Sequence, residues 1–284
     1  MATTFTRWLV GAVGMAWWCA VQGQTLAAQP PLRLSAIPLG AADAMVRDFE
    51  PLAKSLARLL GRPVEFVYMD RHEKVLDALR AGRIELAVLG ALPYAELVGF
   101  GPGQLSPGTI RPLVRFKEAD GQATYRCVLV AFPDDQVVLA RAQGLTLGMS
   151  NPLSTCGPLS ARNLLAAAGV DWARMRPQYL GHLNDVALAV VAGRVRLGAM
   201  NEAVARQHAS LGLQVLASTQ DLPGFALVAH AQRVDAVTLA RLARLPDTPA
   251  AEYSQWGATI RHGVLPVTDA DYAPVRELMK VQRP

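Results

Sequence analysis

Short apolar runs alternate with amphipathic stretches along most of the chain. The first part predicts strands at 32–37, 64–69 and 84–90, separated by helices at 41–61 and 73–82. Continuous apolar runs bounded by turn residues are typical of buried strands, whereas apolar positions three and four apart are typical of helices. This alternation predicts βαβ units and a largely parallel sheet.

The same alternation returns after residue 125. It predicts strands at 126–132, 145–150, 176–181, 195–201, 213–218 and 225–231, and helices at 157–168, 184–193, 202–212, 234–245 and around 269–281. The chain therefore contains two successive sets of α/β elements.

Two segments about a hundred residues apart share one pattern. Residues 75–97 and 186–207 each contain a helix ending in Ala-Gly-Arg, a strand, and a loop that opens a further helix. The repeat predicts two similar α/β lobes, with chance similarity as the alternative. We expect residues 30–128 plus 229–284 to form lobe 1 and residues 129–228 to form lobe 2. Ligands gather beyond the carboxyl ends of strands in open α/β sheets, so a ligand cleft is expected between the lobes.

The first 28 residues predict a secretory signal peptide. Arg7 precedes an uncharged run of fourteen residues, Trp8–Val21, and a stretch of small and polar residues follows. Thr25 and Ala27 form a plausible cleavage pair. An uncleaved membrane anchor is the alternative, although so short a run spans a bilayer poorly. This interpretation makes the mature protein an exported one.

Composition narrows the range of functions. The 284 residues carry a net charge of +5, and the arginines are scattered along helical patterns without interleaved aromatics, which argues against nucleic-acid binding. The five histidines are dispersed and no CxxC occurs, so no metal site or cofactor is expected. A small anionic ligand is compatible with this mild positive charge.

The segment "SNPLSTCGPLSARNLL" places a Ser-Thr-Cys-Gly turn at the start of an apolar helix. Free N–H groups and the helix dipole favour an anion there, with hydroxyl donors from Ser154 and Thr155 and close backbone approach at Gly157. The alternative is that a hydroxyl merely caps the helix. Cys156 and Cys127 could form a disulfide, remain thiols, or serve as small buried residues.

The segments 51–68, 75–97, 150–165 and 181–201 together resemble a known family. It is the phosphate, phosphite and phosphonate solute-binding proteins of ABC transporters, the PhnD-like group with the type II periplasmic-binding fold. The resemblance extends over residues 32–278. It implies a two-lobed α/β protein in which each lobe is a mixed, mostly parallel sheet flanked by helices, with the ligand cleft between the lobes.

The resemblance also implies a set of ligand-contacting residues. The family's Ser-Thr-Ser-Gly turn, an aromatic in the loop after the third strand, a histidine in the second lobe and a tyrosine before the first crossover have counterparts here. With Asn201, a further candidate donor, the set is Tyr94, Tyr125, Ser154, Thr155, Cys156, Gly157, His182 and Asn201.

Several of these residues have alternative interpretations. Tyr94 could be a packing aromatic, His182 a cap or a satisfied histidine, and Asn201 a simple helix cap. Cys156 replaces a serine of the family, and a thiol is a weaker donor than a hydroxyl. Glu202 is the only acid expected at the rim of lobe 2, so an aminoalkylphosphonate is not favoured.

The expected function is a non-enzymatic periplasmic receptor that closes two lobes over a small oxyanion and delivers it to an inner-membrane permease. We expect it to be a monomer. One alternative is a sensory module that signals to a membrane partner. Another is an enzyme on the same fold, with Cys156 as nucleophile and His182 as base. No GxSxG, HExxH, Walker or dinucleotide motif occurs.

Overall fold

The computed structural model describes residues 1–2, 29–100 and 103–280. The predicted signal peptide lies almost wholly outside these ranges. Within them, no helix combines the length and apolar character needed to cross a membrane. The described chain forms two large sheets, each flanked by helices, and one small two-stranded sheet.

A six-stranded sheet forms the centre of the first unit, which we call lobe 1. Its strands, in spatial order, are β13 (Val264–Pro266), β4 (Ile110–Phe116), β12 (Ala226–His230), β3 (Leu86–Leu89), β1 (Leu32–Ala36) and β2 (Val64–Phe66). Strand β1 pairs in parallel with β2 and β3, whereas β12 is antiparallel to both β3 and β4.

A five-stranded sheet forms the second unit, lobe 2. Its order is β10 (Gln214–Ser218), β6 (Cys127–Ala131), β9 (Leu197–Asn201), β7 (Thr146–Met149) and β8 (Arg176–Tyr179). Strand β7 pairs in parallel with β8 and β9, and β6 runs antiparallel to β9 and β10. The small sheet pairs β5 (Thr124–Tyr125) with β11 (Leu222–Pro223) beside the two crossovers.

The α/β class is confirmed, but the sheets are less parallel than expected. Each contains one strand that arrives from the other unit, β6 in lobe 2 and β12 in lobe 1, and these strands run antiparallel to their neighbours. The sequence pattern did not predict β4, because Pro112 lies in its interior. The β12–β4 register skips Leu113 at that point, and the irregularity accommodates a residue that cannot donate a ladder hydrogen bond.

Nine helices flank the sheets in the described part of the chain. They are α1 (Ala42–Leu60), α2 (His72–Arg80), α3 (Ala91–Ala95), α4 (Ser160–Ala167), α5 (Leu183–Val191), α6 (Glu202–Gln207), α7 (Ala236–Leu242), α8 (Ala250–Tyr253) and α9 (Ala273–Lys280). Helix α1 buries one face, including Phe49, Leu52 and Leu56, against the lobe 1 sheet, and ends at Gly61 in a left-handed conformation.

The predicted lobe boundaries fall inside two strands. The division after residue 128 cuts β6, and the division after residue 228 cuts β12. Since β6 pairs only within the second sheet and β12 only within the first, we propose that the chain changes lobes just before each strand.

Candidate functional site

A cavity of about 470 Å³ lies between the two lobes. Its walls are built largely from residues that follow the carboxyl ends of strands. Lobe 1 contributes Ile37, Pro38 and Leu39 after β1, His72 after β2, and Gly90 and Pro93 after β3. Lobe 2 contributes Ser150, Leu153, Ser154, Thr155 and Cys156 after β7, Gly181, His182, Leu183 and Asn184 after β8, and Asn201, Ala203, Val204 and Gln207 from β9 onward.

Helix starts surround this cavity. His72 is the first residue of α2, while His182 and Asn201 immediately precede α5 and α6. Ser154 precedes the wide helical turn Thr155–Leu159 that leads into α4. The first N–H groups of a helix have no partner within it and carry partial positive charge. An anion in the cavity would therefore meet several partly positive helix ends.

Ser154 presents a hydroxyl that no described residue engages. Its backbone is extended, and its side chain makes no capping hydrogen bond, contrary to the interpretation as a cap. The Ser154 carbonyl instead accepts from the Gly157 N–H at 3.1 Å. The hydroxyl is therefore available to a ligand in the cavity.

Thr155 is buried, and its hydroxyl is already used. Its Oγ1 accepts a hydrogen bond from the Leu92 N–H at 3.0 Å, which joins the turn to α3 of lobe 1. The Tyr125 hydroxyl also interacts with the Thr155 side chain, and burial raises the pKa of Tyr125 to about 12. Thr155 holds the turn in place, and Tyr125 lines the cavity as an uncharged phenol at neutral pH.

Cys156 forms a disulfide with Cys127, with Cα atoms 5.0 Å apart. The prediction of a Cys156 thiol as a ligand donor is therefore wrong, and the nucleophile of the Cys156/His182 alternative is absent. The bond ties the turn to the first residue of β6.

Gly157, the last residue of the Ser-Thr-Cys-Gly turn, is closely packed. A Cβ at this position would approach the Asn151 carbonyl oxygen at 3.0 Å and the Ser154 Cβ at 3.1 Å.

Tyr94 does not line the cavity, and its predicted ligand contact is wrong. It is fully buried, its hydroxyl donates to Asp269 at 2.8 Å, and its ring lies against Tyr272 with centroids 4.2 Å apart. Burial and this hydrogen bond raise its pKa. Helix α3 carries Tyr94 and directs its ring into the core of lobe 1, as the packing interpretation expects.

The other two candidates in lobe 2 line the cavity in different ways. His182 is exposed, and its side chain makes no capping bond to α5. Asn201 accepts a hydrogen bond from the Ala203 N–H at 2.7 Å and thus caps α6. Asn201 also lines the cavity, and its amide NH₂ group makes no hydrogen bond to a described residue, which leaves a further donor there.

Among the cavity residues missed at the sequence level are His72 and Glu118. His72 begins α2, beyond the carboxyl end of β2, and this position is the signal that could have identified it. Glu118 lies in the loop after β4, where no pattern points to it. Burial, and secondarily Asp120, raises the pKa of Glu118, while Glu202 is paired with Arg206 at 3.0 Å. The acid at the cavity is therefore Glu118.

The described lining of the cavity contains no Lys or Arg. Among the described residues, no group of three His, Cys, Asp or Glu side chains is arranged to hold a metal ion. Recognition of an anion here would rest on hydroxyl, amide, imidazole and backbone N–H donors, and backbone N–H groups at helix N-termini commonly bind anions.

A two-lobed α/β fold with a cavity between the lobes, surrounded by helix starts, defines a solute-binding protein of the periplasmic-binding type. The model of a family described as "ABC transporter, phosphonate, periplasmic substrate-binding protein" matches residues 34–272. The chain belongs to this family.

Relatives and solved structures agree with this assignment. The phosphate-import protein PhnD of Mycolicibacterium smegmatis is 27% identical over 173 residues, which are 57% of this chain and 52% of that protein, so the match spans about half of the relative's length. The structure of PhnD1 from Prochlorococcus marinus with methylphosphonate has a TM-score of 0.73 at 16% identity, covering 88% of this chain and 97% of that one.

A binding-protein component of an ABC phosphonate transporter from Pseudomonas aeruginosa has a TM-score of 0.71 at 20% identity, with coverage of 88% and 86%. At these identities the solved structures show the fold alone. The overlap over nearly nine-tenths of the chain confirms the predicted type II periplasmic-binding architecture.

Proposed function

We propose that this protein captures a small phosphorus oxyanion in the cavity between its lobes and delivers it to an inner-membrane ABC transporter. The observation that carries the proposal is the convergence of uncapped helix starts and the free Ser154 hydroxyl on one cavity. The relatives support the ligand class, since one is named for phosphate import and another holds methylphosphonate.

Donors other than Lys and Arg side chains suit a receptor that must release its ligand. Hydrogen bonds from N–H and O–H groups to an ionised oxyanion are stronger than neutral ones, and closure of the lobes would exclude water and strengthen them further. Without a Lys or Arg in the described lining, no ion pair with a lysine or arginine has to be broken when the lobes open. Selectivity would come from the geometry of the donors.

The role we propose is non-enzymatic, and the protein acts as a monomer exported to the periplasm. The specific enzymatic alternative required a Cys156 thiolate, and that sulfur is bonded to Cys127. A membrane permease is the proposed partner, because the family is that of ABC-transporter binding proteins. A sensory role would use the same closure, and no contact in the described residues favours it over transport.

Calorimetric titration of the mature chain tests the ligand assignment. Phosphate, phosphite, methylphosphonate and aminoethylphosphonate are titrated separately, with sulfate as the matched non-phosphorus oxyanion. We expect one-to-one binding of at least one phosphorus oxyanion, with sulfate at least about tenfold weaker. Equal binding of sulfate, or no binding of any phosphorus compound, would refute the proposed ligand class while leaving the fold assignment intact.

A further inference from the structure

The Cys127–Cys156 disulfide lies between the cavity and the interior of the protein. Cys156 is 4% exposed and lines the cavity, whereas Cys127 is 0% exposed and does not line it. The apolar cluster that contains both cysteines also contains Tyr94 of lobe 1 and Leu222 beside the second crossover. A small reagent that enters the cavity would therefore meet the bond at Cys156.

Cys127 is held firmly at the buried end of the bond. Its N–H donates to the Thr219 hydroxyl at 3.0 Å, and its carbonyl accepts from the Thr219 N–H at 2.9 Å. Cys127 also pairs with Asn201 across β6 and β9, and Asn201 lines the cavity. The disulfide thus joins the Ser-Thr-Cys-Gly turn to a strand pair that carries another part of the cavity wall.

Hydrogen bonds hold the Ser-Thr-Cys-Gly turn in addition to the disulfide. The Ser154 N–H donates to the Asn151 carbonyl at 3.0 Å, and the Thr155 hydroxyl accepts from the Leu92 N–H. Breaking the S–S bond would remove the covalent tie of the turn to β6 and widen the range of positions open to the Ser154 hydroxyl. Donors that are fixed before binding give higher affinity, because less conformational entropy is lost when the ligand binds.

We propose that capture of the oxyanion depends on the redox state of this disulfide: reduction by a dithiol weakens binding, and the bound oxyanion protects the disulfide from reduction. This inference rests on the proposed function. The two effects are linked, because a factor by which reduction lowers the affinity is also the factor by which bound ligand disfavours reduction. Capture is therefore strongest under oxidising conditions.

Reduction proceeds by two thiol–disulfide exchanges. A thiolate of the dithiol attacks the Cys156 sulfur from the cavity, the S–S bond breaks, and Cys127 leaves as a thiolate that takes up a proton. The second thiolate of the reductant then attacks its partner sulfur in the mixed disulfide and releases Cys156, which also takes up a proton. The protein gains two electrons and two protons, and the dithiol becomes a disulfide. An oxyanion in the cavity occupies the path of the first attack.

Calorimetric titration of oxidised and reduced protein measures the effect on affinity. Reduction with dithiothreitol should raise the dissociation constants for methylphosphonate and inorganic phosphate at least about fivefold, the lower limit of typical coupling between linked sites. The double variant Cys127→Ala/Cys156→Ala should bind as weakly as the reduced wild type, and dithiothreitol should not change its affinity. Near-UV circular dichroism verifies that the reduced protein remains folded.

The rate of reduction measures the protection by ligand. Oxidised protein in dithiothreitol is quenched at intervals, alkylated with iodoacetamide and analysed by mass spectrometry. Methylphosphonate at about ten times its dissociation constant should slow reduction about tenfold, because only about one molecule in eleven is then free. Sulfate at the same concentration, if it binds about tenfold more weakly, should slow reduction no more than about twofold.

A variant destabilised far from the cavity separates attack through the cavity from reduction of unfolded protein. Tyr253→Phe removes a buried hydrogen bond to the Leu245 carbonyl in lobe 1, and neither residue lines the cavity. Its lower stability would accelerate reduction if the bond were attacked only in opened or unfolded chains. We expect its rate of reduction to equal that of wild type, and a faster rate would overturn the inference.

The outcomes separate this inference from the proposed function. If oxidised wild type binds neither methylphosphonate nor phosphate, the proposed function fails and the inference fails with it. If oxidised wild type binds, but folded reduced protein binds equally well or methylphosphonate does not slow reduction, the inference about the disulfide alone is overturned. If the reduced protein does not stay folded, the protection by methylphosphonate and the Tyr253→Phe comparison decide the matter.

Discussion

Replacing Cys127 and Cys156 together by alanine should lower the free energy of unfolding by about 3 to 4 kcal/mol. The disulfide closes a loop with a sequence separation of 29 residues. A cross-link of this span removes conformational freedom chiefly from the unfolded chain, and the expected loss follows from that loop length. Both side chains are buried, so alanine avoids leaving an unsatisfied hydroxyl in the core.

Urea unfolding measures this loss directly. The alanine pair is compared with oxidised wild type and with wild type held in a thiol reductant, which should unfold at a similarly lowered midpoint. If the alanine pair and the oxidised wild type have equal midpoints and slopes, the disulfide does not stabilise the fold.

Because the bond holds the turn Thr155–Leu159 onto β6, the alanine pair should also bind its ligand more weakly.

Ser154→Ala should raise the dissociation constant for the bound oxyanion about 10- to 100-fold with little change in stability. Its hydroxyl lines the cavity and makes no capping bond in the structure, so its removal takes away a ligand donor without leaving a protein group unpaired. Titration calorimetry gives the affinity, and urea unfolding gives the stability of the same preparation.

Thr155→Val, one residue along the chain, provides the matched contrast. The Leu92 N–H would lose its acceptor, and a buried donor left unsatisfied costs about 1 to 3 kcal/mol of stability. Thr155→Ser keeps the acceptor and should restore most of that loss. If Ser154→Ala leaves the affinity unchanged, or destabilises the fold as much as Thr155→Val, the two adjacent hydroxyls do not have the separate roles that the structure assigns them.

The α/β pattern and the internal repeat could be predicted because they depend on local sequence. Helices α2 and α5 both end in an Ala-Gly-Arg turn, and Gly82 and Gly193 both have positive φ, 61° and 67°. Each turn leads into a buried strand, β3 or β9, as the repeated pattern indicated. A left-handed glycine at a helix end and an apolar run after it are features that a sequence displays directly.

The division of roles within the site depends on distances that the sequence does not contain. The motif placed Ser154, Thr155 and Cys156 side by side as candidate donors. In the structure one hydroxyl is free, one holds Leu92, and the sulfur is bonded to Cys127. The roles of Thr155 and Cys156 are set by partners from other parts of the chain, at a sequence separation of 63 residues for the hydrogen bond and 29 for the disulfide.

Tyr94 and His72 show the same limit. Both lie in segments that follow strands of lobe 1, so sequence position alone treats them alike. The choice between core and cavity is made by the direction of each side chain. Tyr94 packs in the core against Tyr272 and donates to Asp269, both far along the chain, while His72 lies at the cavity wall.

A crystal structure of the wild-type protein grown with methylphosphonate tests the central claim most directly. The account predicts one phosphonate group in the cavity between the lobes, with an oxygen within hydrogen-bonding distance of the Ser154 hydroxyl and others facing the helix starts. Phosphonate density at another site, or an empty cavity at a concentration that saturates binding in solution, would contradict it.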